Sequence, residues 1–333
     1  MFHVKRCGGI CHHTHWSLLV WAASPSEVTP PLNSLPPSII DYEGSRYRTD
    51  FWEGQGREYE DLAERAALRR LLPAQGETIL EAGAGFGRLA SLYNGYRRII
   101  LVDYSLSLLQ EARQLWGHDE RFVFVAASIY DMPFVDNLLD ALVMVRVMHH
   151  LQAPALALAE IARIVQGGKV FVLEYANKRN LKSLARYALR RQTWSPFDLQ
   201  PYEFVRLNYD FHPTWMERQL RQAGFGKEGE LAISSFRLPA LKSRVPAPWL
   251  ARLDGVLAGP GAALKLTPSL LVRCRNQKPP DPRPGLFRCP TCGSAELAPT
   301  DPGLRCQGCG ASWPRVDGIY DFRTAVSRET ATS

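Results

Sequence analysis

The stretch TILEAGAGFGRL, residues 78–89, has the residue types and spacing that hold a nucleotide-like ligand. An apolar pair leads into an acid, Glu81, and then into three glycines at alternate positions, Gly83, Gly85 and Gly87. Glycines let the backbone turn sharply and let a ligand approach it without meeting a Cβ atom, while N–H groups at a helix start face that ligand. The pattern therefore predicts a buried strand, a tight turn and the start of a helix, with a nucleotide-like cofactor at the turn.

A second acid follows at the distance at which such folds bind a ribose. The apolar run from Arg98 to Asp103 is typical of a second buried strand, and Asp103 follows Gly85 by 18 residues. In α/β nucleotide folds, a carboxylate at this distance accepts hydrogen bonds from the ribose hydroxyls. The alternative is that Asp103 only caps the next helix, and the glycine turn upstream favours the ribose role.

The glycine spacing also separates two classes of cofactor. The dinucleotide fingerprint G-x-G-x-x-G fails here, because its last position is Arg88. The observed register, E-x-G-x-G-x-G, resembles the first motif of the class I S-adenosylmethionine-dependent methyltransferases, with a methyltransferase type 11-like domain. A later segment agrees, since the strand from Leu139 to Val145 runs into Met148-His149-His150-Leu151, where the family has Leu-His-His-Leu.

The resemblance implies S-adenosylmethionine as the cofactor and gives roles to residues of this chain. Glu81 would orient the methionine ammonium group, the three glycines would line the cofactor, and Asp103 would hold its ribose. Ser128 stands where the family has an aspartate that bonds the adenine amino group, and a hydroxyl can still accept a hydrogen bond. The predicted cofactor-binding residues are Glu81, Gly83, Gly85, Gly87, Asp103, Tyr104, Ser128, Ile129, Val145 and Arg146.

Methyl transfer depends mainly on an aligned acceptor in a site without water, so no covalent nucleophile is required. If the acceptor must lose a proton, the candidate bases are His149, Glu174 and Tyr175. An imidazole suits this role because it titrates near neutral pH. For the pair His149-His150 the favoured alternative is structural, with the two rings holding the turn beside the cofactor.

Two CxxC pairs near the carboxyl terminus predict a metal site. Cys289 and Cys292 are separated by 13 residues from Cys306 and Cys309, and a glycine follows each pair. Four thiolates at this spacing suit a tetrahedral, structural Zn²⁺ site with no position left open for water. Such pairs indicate a reducing, cytoplasmic setting rather than disulfides. With the tail from Trp313 to Phe322, the segment resembles the small zinc-ribbon activators that bind tRNA and translation-factor methyltransferases as separate subunits.

The elements that must position these residues alternate as in a doubly wound α/β fold. Apolar strand runs alternate with helical patterns over residues 77–175, and such strands form a mostly parallel, buried sheet. One helix is predicted at Tyr59 to Leu72, and another at Leu156 to Val165 that ends at Gly167-Gly168. The last two strands of the Rossmann-like, seven-stranded sheet that the resemblance implies are predicted at Glu230 to Phe236 and Ser269 to Arg275.

Composition divides the chain into segments. The first segment holds clustered cysteines and histidines and a Pro-rich run, and a disordered extension is favoured there over a metal site or a signal peptide. A polar, Pro-rich linker precedes the cysteine pairs. The predicted boundaries are 1–40 for the extension, 41–275 for the methyltransferase domain with a lid or substrate insertion at 176–225, 276–286 for the linker, 287–323 for the small zinc ribbon and 324–333 for a disordered tail.

Residues 178–191 carry six cations and no acid, with leucines and alanines along one side of a predicted helix. This basic helix could contact phosphate, an anionic lipid surface or an acidic substrate, or its charges could simply be solvated. The formal net charge of +7 permits an acidic partner without requiring one. Contact with a membrane surface stays open, but no transmembrane segment is expected.

Three functions are compatible with these patterns. Methyl transfer to a small-molecule acceptor, a metabolite or a lipid-linked compound, is favoured because aromatic residues of the insertion suit a planar acceptor. An RNA or translation-protein acceptor, engaged through the basic helix and the zinc ribbon, is the alternative. A non-catalytic regulator that binds the cofactor is the third. The oligomeric state is not indicated by the sequence.

Overall fold

The computed structural model describes residues 37–326, so most of the predicted extension and the end of the tail lie outside the described residues. The strands, in chain order, are β1 (Gly76–Ala82), β2 (Tyr96–Asp103), β3 (Phe122–Ala126), β4 (Leu139–Met144), β5 (Val165–Ala176), β6 (Tyr202–Val205), β7 (Asn208–Asp210), β8 (Phe225–Ile233), β9 (Ser269–Asn276), β10 (Leu297–Thr300), β11 (Gly303–Cys306), β12 (Ser312–Val316) and β13 (Ile319–Asp321).

The helices, in the same order, are α1 (Tyr47–Phe51), α2 (Glu58–Leu71), α3 (Leu106–Trp116), α4 (Pro154–Ile164), α5 (Leu181–Ala188), α6 (Pro213–Gln222), α7 (Pro239–Lys242) and α8 (Ala247–Leu264). Two short 3₁₀ helices lie at Ala90–Tyr93 and Met148–His150. Across residues 37–326, no helix combines the length and apolar character needed to cross a membrane.

Seven strands form the sheet that positions the site, in the order β3-β2-β1-β4-β5-β9-β8. β1 to β5 are mutually parallel where they pair, and β9 runs antiparallel between β5 and β8. The central strands are nearly continuous runs of buried apolar residues, as parallel strands covered on both faces require. The predicted doubly wound, Rossmann-like sheet is confirmed.

Two apolar clusters cover the two faces of this sheet, because successive side chains of a strand point to opposite sides. In β1, Leu80 and Ala82 belong to the cluster with α4 and α6, whereas Ile79 belongs to the cluster with α2, α3 and α8. The helices therefore lie on both faces and leave the carboxyl ends of the parallel strands free for a ligand.

The glycine pair predicted to end a helix lies inside a strand instead. α4 ends at Ile164 and β5 begins at the next residue, so Gly167 and Gly168 belong to β5. The pairing of β4 with β5 shifts register in this region, and Gly168 has φ +76°. A Cβ atom on Gly167 would collide with the main-chain oxygen of Lys278. The glycines thus serve a bulge and the close approach of the chain after β9.

The turn after β1 is not followed by the predicted α-helix, but by the 3₁₀ helix Ala90–Tyr93. Only eight residues separate Gly87 from Tyr96, the first residue of β2, which is too short for an α-helix and a return loop. β8 also differs from its prediction, since it ends at Ile233. Ser234 has φ +66° there, and its N–H donates to the buried Asp254 carboxylate at 2.7 Å.

The predicted basic helix is shorter than the 178–191 run, and two of the six cations lie before α5 and two lie after it. Lys178 precedes α5 and is buried, and its ammonium donates to the main-chain oxygens of Asp198 (3.0 Å) and Gln200 (2.6 Å). Arg179 is half-buried, whereas Lys182, Arg186, Arg190 and Arg191 are exposed. Lys178 therefore holds the loop after α5 in place, and its ammonium is not at the surface where an external partner would bind.

The cysteine-rich segment is joined to the sheet, and within the described residues the sheet has eleven strands. β13 pairs in parallel with the edge strand β3, and β12, β11 and β10 follow as antiparallel neighbours. The Phe322 N–H donates to the oxygen of Ala126 at 2.8 Å, and the rings of Phe134 and Phe287 stack at 5.7 Å. The segment that resembles a separate activator subunit is thus continuous with the sheet. The predicted linker also begins later than residue 276, because Asn276 is the last residue of β9.

Candidate functional site

A cavity with about 770 Å³ of empty volume opens at the carboxyl ends of β1, β2 and β4. In open α/β sheets this edge is where ligands bind. Most of the lining is apolar, from both the sheet and the segment before α1. Six of the predicted cofactor residues lie in it: Gly83, Gly85, Asp103, Tyr104, Ile129 and Arg146.

The glycine turn forms the floor of the cavity. The N–H groups of Gly83 and Ala84 both donate to the oxygen of Val102, at 2.8 and 2.9 Å, which ties the turn to β2. Gly83 and Gly85 have φ +73° and +54°, a conformation that side chains other than glycine rarely adopt. At Gly85 a Cβ atom would have no neighbour nearer than Tyr47, at 4.0 Å, so it would project into the space of the cavity.

Asp103 faces this turn from the end of β2. Its Oδ2 accepts a hydrogen bond from the Gly85 N–H at 2.8 Å, and its Oδ1 accepts one from Ser105 at 3.0 Å. Burial raises the pKa of Asp103, while the hydrogen bonds from Ser105 and Gly85 oppose that rise. Each carboxylate oxygen can accept a further hydrogen bond, so the side chain can serve hydroxyl groups of a ligand in the cavity.

Glu81 lies beneath the turn rather than in the cavity wall. Its side chain is buried, and Oε2 has no hydrogen-bond partner among residues 37–326. Burial raises its pKa to about 8, even though Arg88 and Tyr93 oppose the shift. A buried carboxyl group with a free oxygen is a polar group that still lacks a partner.

Three other predicted cofactor residues do not line the cavity. Gly87 packs against Trp116, whose indole Nε1 donates to the Gly87 oxygen at 3.0 Å. The Ser128 hydroxyl accepts from the N–H of Tyr130 at 3.2 Å, within its own turn. Val145 belongs to the apolar cluster of the sheet. Their assignment as cofactor ligands stays a prediction.

The candidate bases are not brought together. Tyr175 is buried in the apolar core, on the opposite side of β5 from its neighbour Glu174. Glu174 accepts a hydrogen bond at 2.9 Å from the main-chain N–H of Arg146 and so holds the chain after β4. Burial and the adjacent His150 lower the pKa of His149 well below its ordinary value.

His150, rather than His149, lies in the cavity wall. Its Nδ1 is 3.1 Å from the oxygen of Leu207, which can only accept, so Nδ1 carries the proton and Nε2 is the acceptor. Nε2 lies 3.5 Å from the Tyr42 hydroxyl. Burial lowers the pKa of His150, which keeps the ring neutral at pH 7. The ring thus binds the chain between β6 and β7 and presents an acceptor atom beside the cavity.

Sequence reasoning missed the segment that covers the cavity. Ile39, Ile40, Tyr42 and Tyr47 line it, although the first two fall within the predicted extension and Tyr47 precedes the first long helix. The carboxylate of Glu43 accepts hydrogen bonds from the N–H groups of Leu106 (2.7 Å) and Ser107 (3.1 Å), which fixes the segment on the start of α3. Paired isoleucines followed by tyrosines, just before the domain, were the available signal.

Arg146 is held by a buried ion network behind the cavity. Its guanidinium pairs with Glu64 at 2.5 Å and lies over the Trp52 ring at 5.0 Å. Burial alone would raise the pKa of Glu64, but Arg146 and Arg88 outweigh it and keep that pKa below its ordinary value. The backbone of Arg146, which has φ +60°, is held by the bond from its N–H to Glu174, so both its main chain and its side chain are fixed.

The four predicted metal ligands form a second cluster, in the segment joined to β3. The sulfur atoms of Cys289, Cys292, Cys306 and Cys309 all lie within 4.8 Å of one another. Gly293 and Gly310, which follow the two pairs, have φ +75° and +77°, so each loop folds back around its sulfurs. The donor set and its compactness fit a tetrahedral thiolate site.

Comparison with known proteins finds similarity in the central part of the chain. Residues 80–173 match the profile of a family described as "Methyltransferase domain". An uncharacterised chloroplastic methyltransferase of Arabidopsis thaliana is 29% identical over 176 residues, which are 48% of this chain and 49% of the relative. A demethylmenaquinone methyltransferase of Clavibacter sepedonicus is 30% identical over 113 residues, 33% of this chain and 46% of the relative.

The chain thus spans about half the length of the curated relatives it matches. Among solved structures, the complex between the Haloferax volcanii Trm112 methyltransferase activator and a methyltransferase aligns at 20% identity with a TM-score of 0.49. The alignment covers 72% of this chain and 99% of that one. The strand order and the family match, rather than this alignment, carry the fold assignment.

Proposed function

We propose that this chain, whose residues 80–173 belong to the methyltransferase domain family, transfers the methyl group of S-adenosylmethionine to a small-molecule acceptor. The observation that carries the proposal is the cavity itself. It joins an open glycine turn, the Asp103 carboxylate and an apolar wall at the carboxyl edge of a sheet whose parallel strands have the order 3-2-1-4-5 of doubly wound α/β folds. Six of the ten predicted cofactor residues line this cavity and come from four separate parts of the chain, which supports the proposal.

The residues present fit S-adenosylmethionine. At Gly85 the position of a missing Cβ is open space, and Asp103 and Tyr104 stand beside it. Asp103 would hold the ribose and Ile129 would pack against the adenine. The free, buried oxygen of Glu81 matches a carboxyl group that awaits the methionine ammonium, directly or through water. When bound, the cofactor supplies an electrophilic methyl group on a sulfonium centre.

The protein's own contribution would be to exclude water and to align the acceptor. Tyr42 and Tyr47 cover the cavity, and the ion network fixes the turn after β4. If the acceptor must be deprotonated, His150 Nε2 is the atom placed to take the proton, because it is unprotonated and lines the cavity. The earlier candidates are less well placed, because His149, Glu174 and Tyr175 do not line the cavity.

A small-molecule acceptor is supported by the largely apolar cavity wall and by the similarity to a demethylmenaquinone methyltransferase. The competing RNA or translation-protein acceptor has a specific observation in its favour, the exposed cations of α5. The cysteine cluster would hold a structural Zn²⁺, because all four donors are thiolates and no position is left for water.

The cofactor assignment is tested by calorimetric titration with S-adenosylhomocysteine. Asp103→Ala should weaken binding at least about tenfold, since a hydrogen bond to a charged group is worth about 1.5–3 kcal/mol. Asp119→Ala, which removes a carboxylate before β3 and far from the cavity, is the matched control and should bind as the wild type does. Absence of binding to the wild type would end the cofactor proposal.

The acceptor class is tested by incubating the protein with labelled methyl donor and a fractionated cell extract. Label is expected in the small-molecule or lipid fraction. Label in RNA or in translation proteins would overturn the preference stated here. Cofactor binding without any transfer would instead support a regulator.

A further inference from the structure

The long helix α8 exposes an apolar stripe instead of a polar face. Trp249, Leu253, Val256, Leu257 and Leu264 recur at helical spacing and all are exposed, Val256 by 73% of its surface. The opposite side of the helix, with Leu250, Ala251 and Ala258, packs against the protein. An exposed stripe of this length on a soluble domain marks an interaction surface.

α5 presents a second exposed face of mixed character. Leu181 and Leu189 are exposed by 62% and 63%, and Tyr187 by 40%, while only Ser183 of the helix is buried. Its cations Lys182 and Arg186, and Arg190 and Arg191 just beyond it, are also exposed. The helix is therefore amphipathic without a partner on its apolar side.

The two helices meet at their ends, because the carboxyl end of α8 lies against the amino end of α5. The N–H of Leu181, the first residue of α5, donates to the oxygen of Leu266 at 2.7 Å, just after α8. The Asn177 amide donates to the oxygens of Lys265 and Thr267, at 2.7 and 2.8 Å. This junction also lies at the carboxyl end of β5, where Ala176 pairs with Ser269, which is the same edge of the sheet at which the cavity opens.

The charge of this surface is one-sided. The sequence from Arg237 to Pro268 holds a single acid, Asp254, which is buried and bonded to the N–H groups after β8. Residues 181–191 hold none. Exposed Arg244 and Arg252 add to the cations of α5. The surface formed by α5 and α8, which we call the basic apolar face, thus combines hydrophobic side chains with positive charge.

We propose that the basic apolar face docks on the surface of an anionic lipid bilayer, with the apolar side chains among the acyl chains and the cations at the headgroups. A second copy of this chain would bring the same cations together around a two-fold axis, which is unfavourable. An RNA partner would use the cations but not the apolar stripe. An anionic lipid surface would bind both the cations and the apolar stripe. Docking there would place the cavity near the membrane surface, where a lipid-linked acceptor could enter.

The docking does not depend on catalysis, so it can be tested by vesicle flotation of the full chain without cofactor. Vesicles of phosphatidylcholine alone are compared with vesicles in which phosphatidylglycerol replaces part of it. Binding is expected to the anionic vesicles and to fall as salt is raised. A cation at an anionic membrane contributes about fivefold in affinity, so Lys182→Gln/Arg186→Gln/Arg190→Gln should weaken binding by about a hundredfold.

The matched control removes the same number of positive charges from a different part of the surface. Arg97→Gln/Arg98→Gln/Arg221→Gln removes three exposed cations outside the basic apolar face and should leave vesicle binding nearly unchanged. Val256→Ser/Leu257→Ser should weaken binding with all charges retained. Equal losses in the two charge variants, or no binding to anionic vesicles, would overturn the proposal.

Two further measurements test the other possible partners of this face. Light scattering tests a second copy of the chain, and titration with RNA tests a nucleic acid. A stable dimer that the Val256→Ser/Leu257→Ser variant converts to a monomer would show that a second copy covers the face. Tighter binding to RNA than to anionic vesicles at equal salt, lost in the α5 variant, would show a nucleic-acid surface. Either result would overturn docking on lipid, whereas loss of methyl transfer alone would bear only on the proposed function.

Discussion

Arg323, two residues beyond β13, donates a hydrogen bond of 3.3 Å from its guanidinium to the main-chain oxygen of Tyr104 in the cavity wall. The same guanidinium pairs with Glu43 at 3.5 Å, and Glu43 holds the covering segment on the start of α3. The cysteine-rich segment is therefore connected to both the wall and the cover of the cavity. We expect changes in this segment to reach the cavity through Arg323.

Arg323→Ala is expected to weaken S-adenosylhomocysteine binding by about fivefold, which corresponds to about 1 kcal/mol and to the loss of a partly exposed, charge-assisted hydrogen bond. Calorimetry provides the measurement. Arg315→Ala is the control, because Arg315 lies over the Tyr320 ring at 4.8 Å in the same segment but has no bond to Tyr104. Equal effects of the two substitutions would indicate general loosening of the segment instead of positioning through Arg323.

Replacing Gly83 or Gly85 with alanine should have different effects, the first mainly on stability and the second mainly on cofactor binding. At Gly83 the added Cβ would collide with Val147 Cγ2, so Gly83→Ala should destabilise the fold by about 3 kcal/mol, through overpacking and backbone strain. At Gly85 only the strain of about 1 kcal/mol applies, but the methyl group stands in the cavity. Urea unfolding and calorimetry should therefore show that Gly85→Ala loses binding with most stability retained. Wild-type affinity in Gly85→Ala would contradict the placement of the cofactor on this turn.

The cysteine cluster should bind zinc and support the sheet. We expect zinc in the purified protein by metal analysis, lost in Cys289→Ser and retained in Cys274→Ala, which changes a buried cysteine of β9 outside the cluster. Because β13 pairs with β3, loss of the metal should also lower the melting temperature of the whole chain. Zinc content that is equal in the two variants would refute the metal site.

Much of the fold followed from local pattern, because β1, β2 and β4 are apolar runs that could only be buried strands. Asp103 and the glycine turn were also predictable, since a strand end and a tight turn leave few residue types available. The covering segment was not, because Ile39 and Tyr42 line the cavity only once Glu43 has bonded to the start of α3, far along the chain. The same holds for β13, whose pairing with β3 joins residues nearly two hundred positions apart and has no local signal. Tyr175 is a residue whose predicted role failed for the same reason. The sequence allowed it to be a base, but the side of β5 on which it lies faces the apolar core.

Glu81 should make the protein less stable as pH rises through neutrality. Burial raises its pKa from an ordinary 4.5 to about 8, so between these values the folded state keeps a proton that the unfolded state has lost. The free energy of unfolding therefore falls as pH increases across that range, and it levels off above about pH 8. Glu81→Gln removes the titrating group, so its stability relative to wild type should rise from pH 5 to pH 8, by at most about 5 kcal/mol at one pKa unit per 1.4 kcal/mol. Thermal unfolding across this pH range measures the difference, with the exposed Glu77→Gln of the same strand as the control. A difference that stays constant with pH would show that Glu81 is ionised in the folded protein, because only a retained proton makes the two curves diverge.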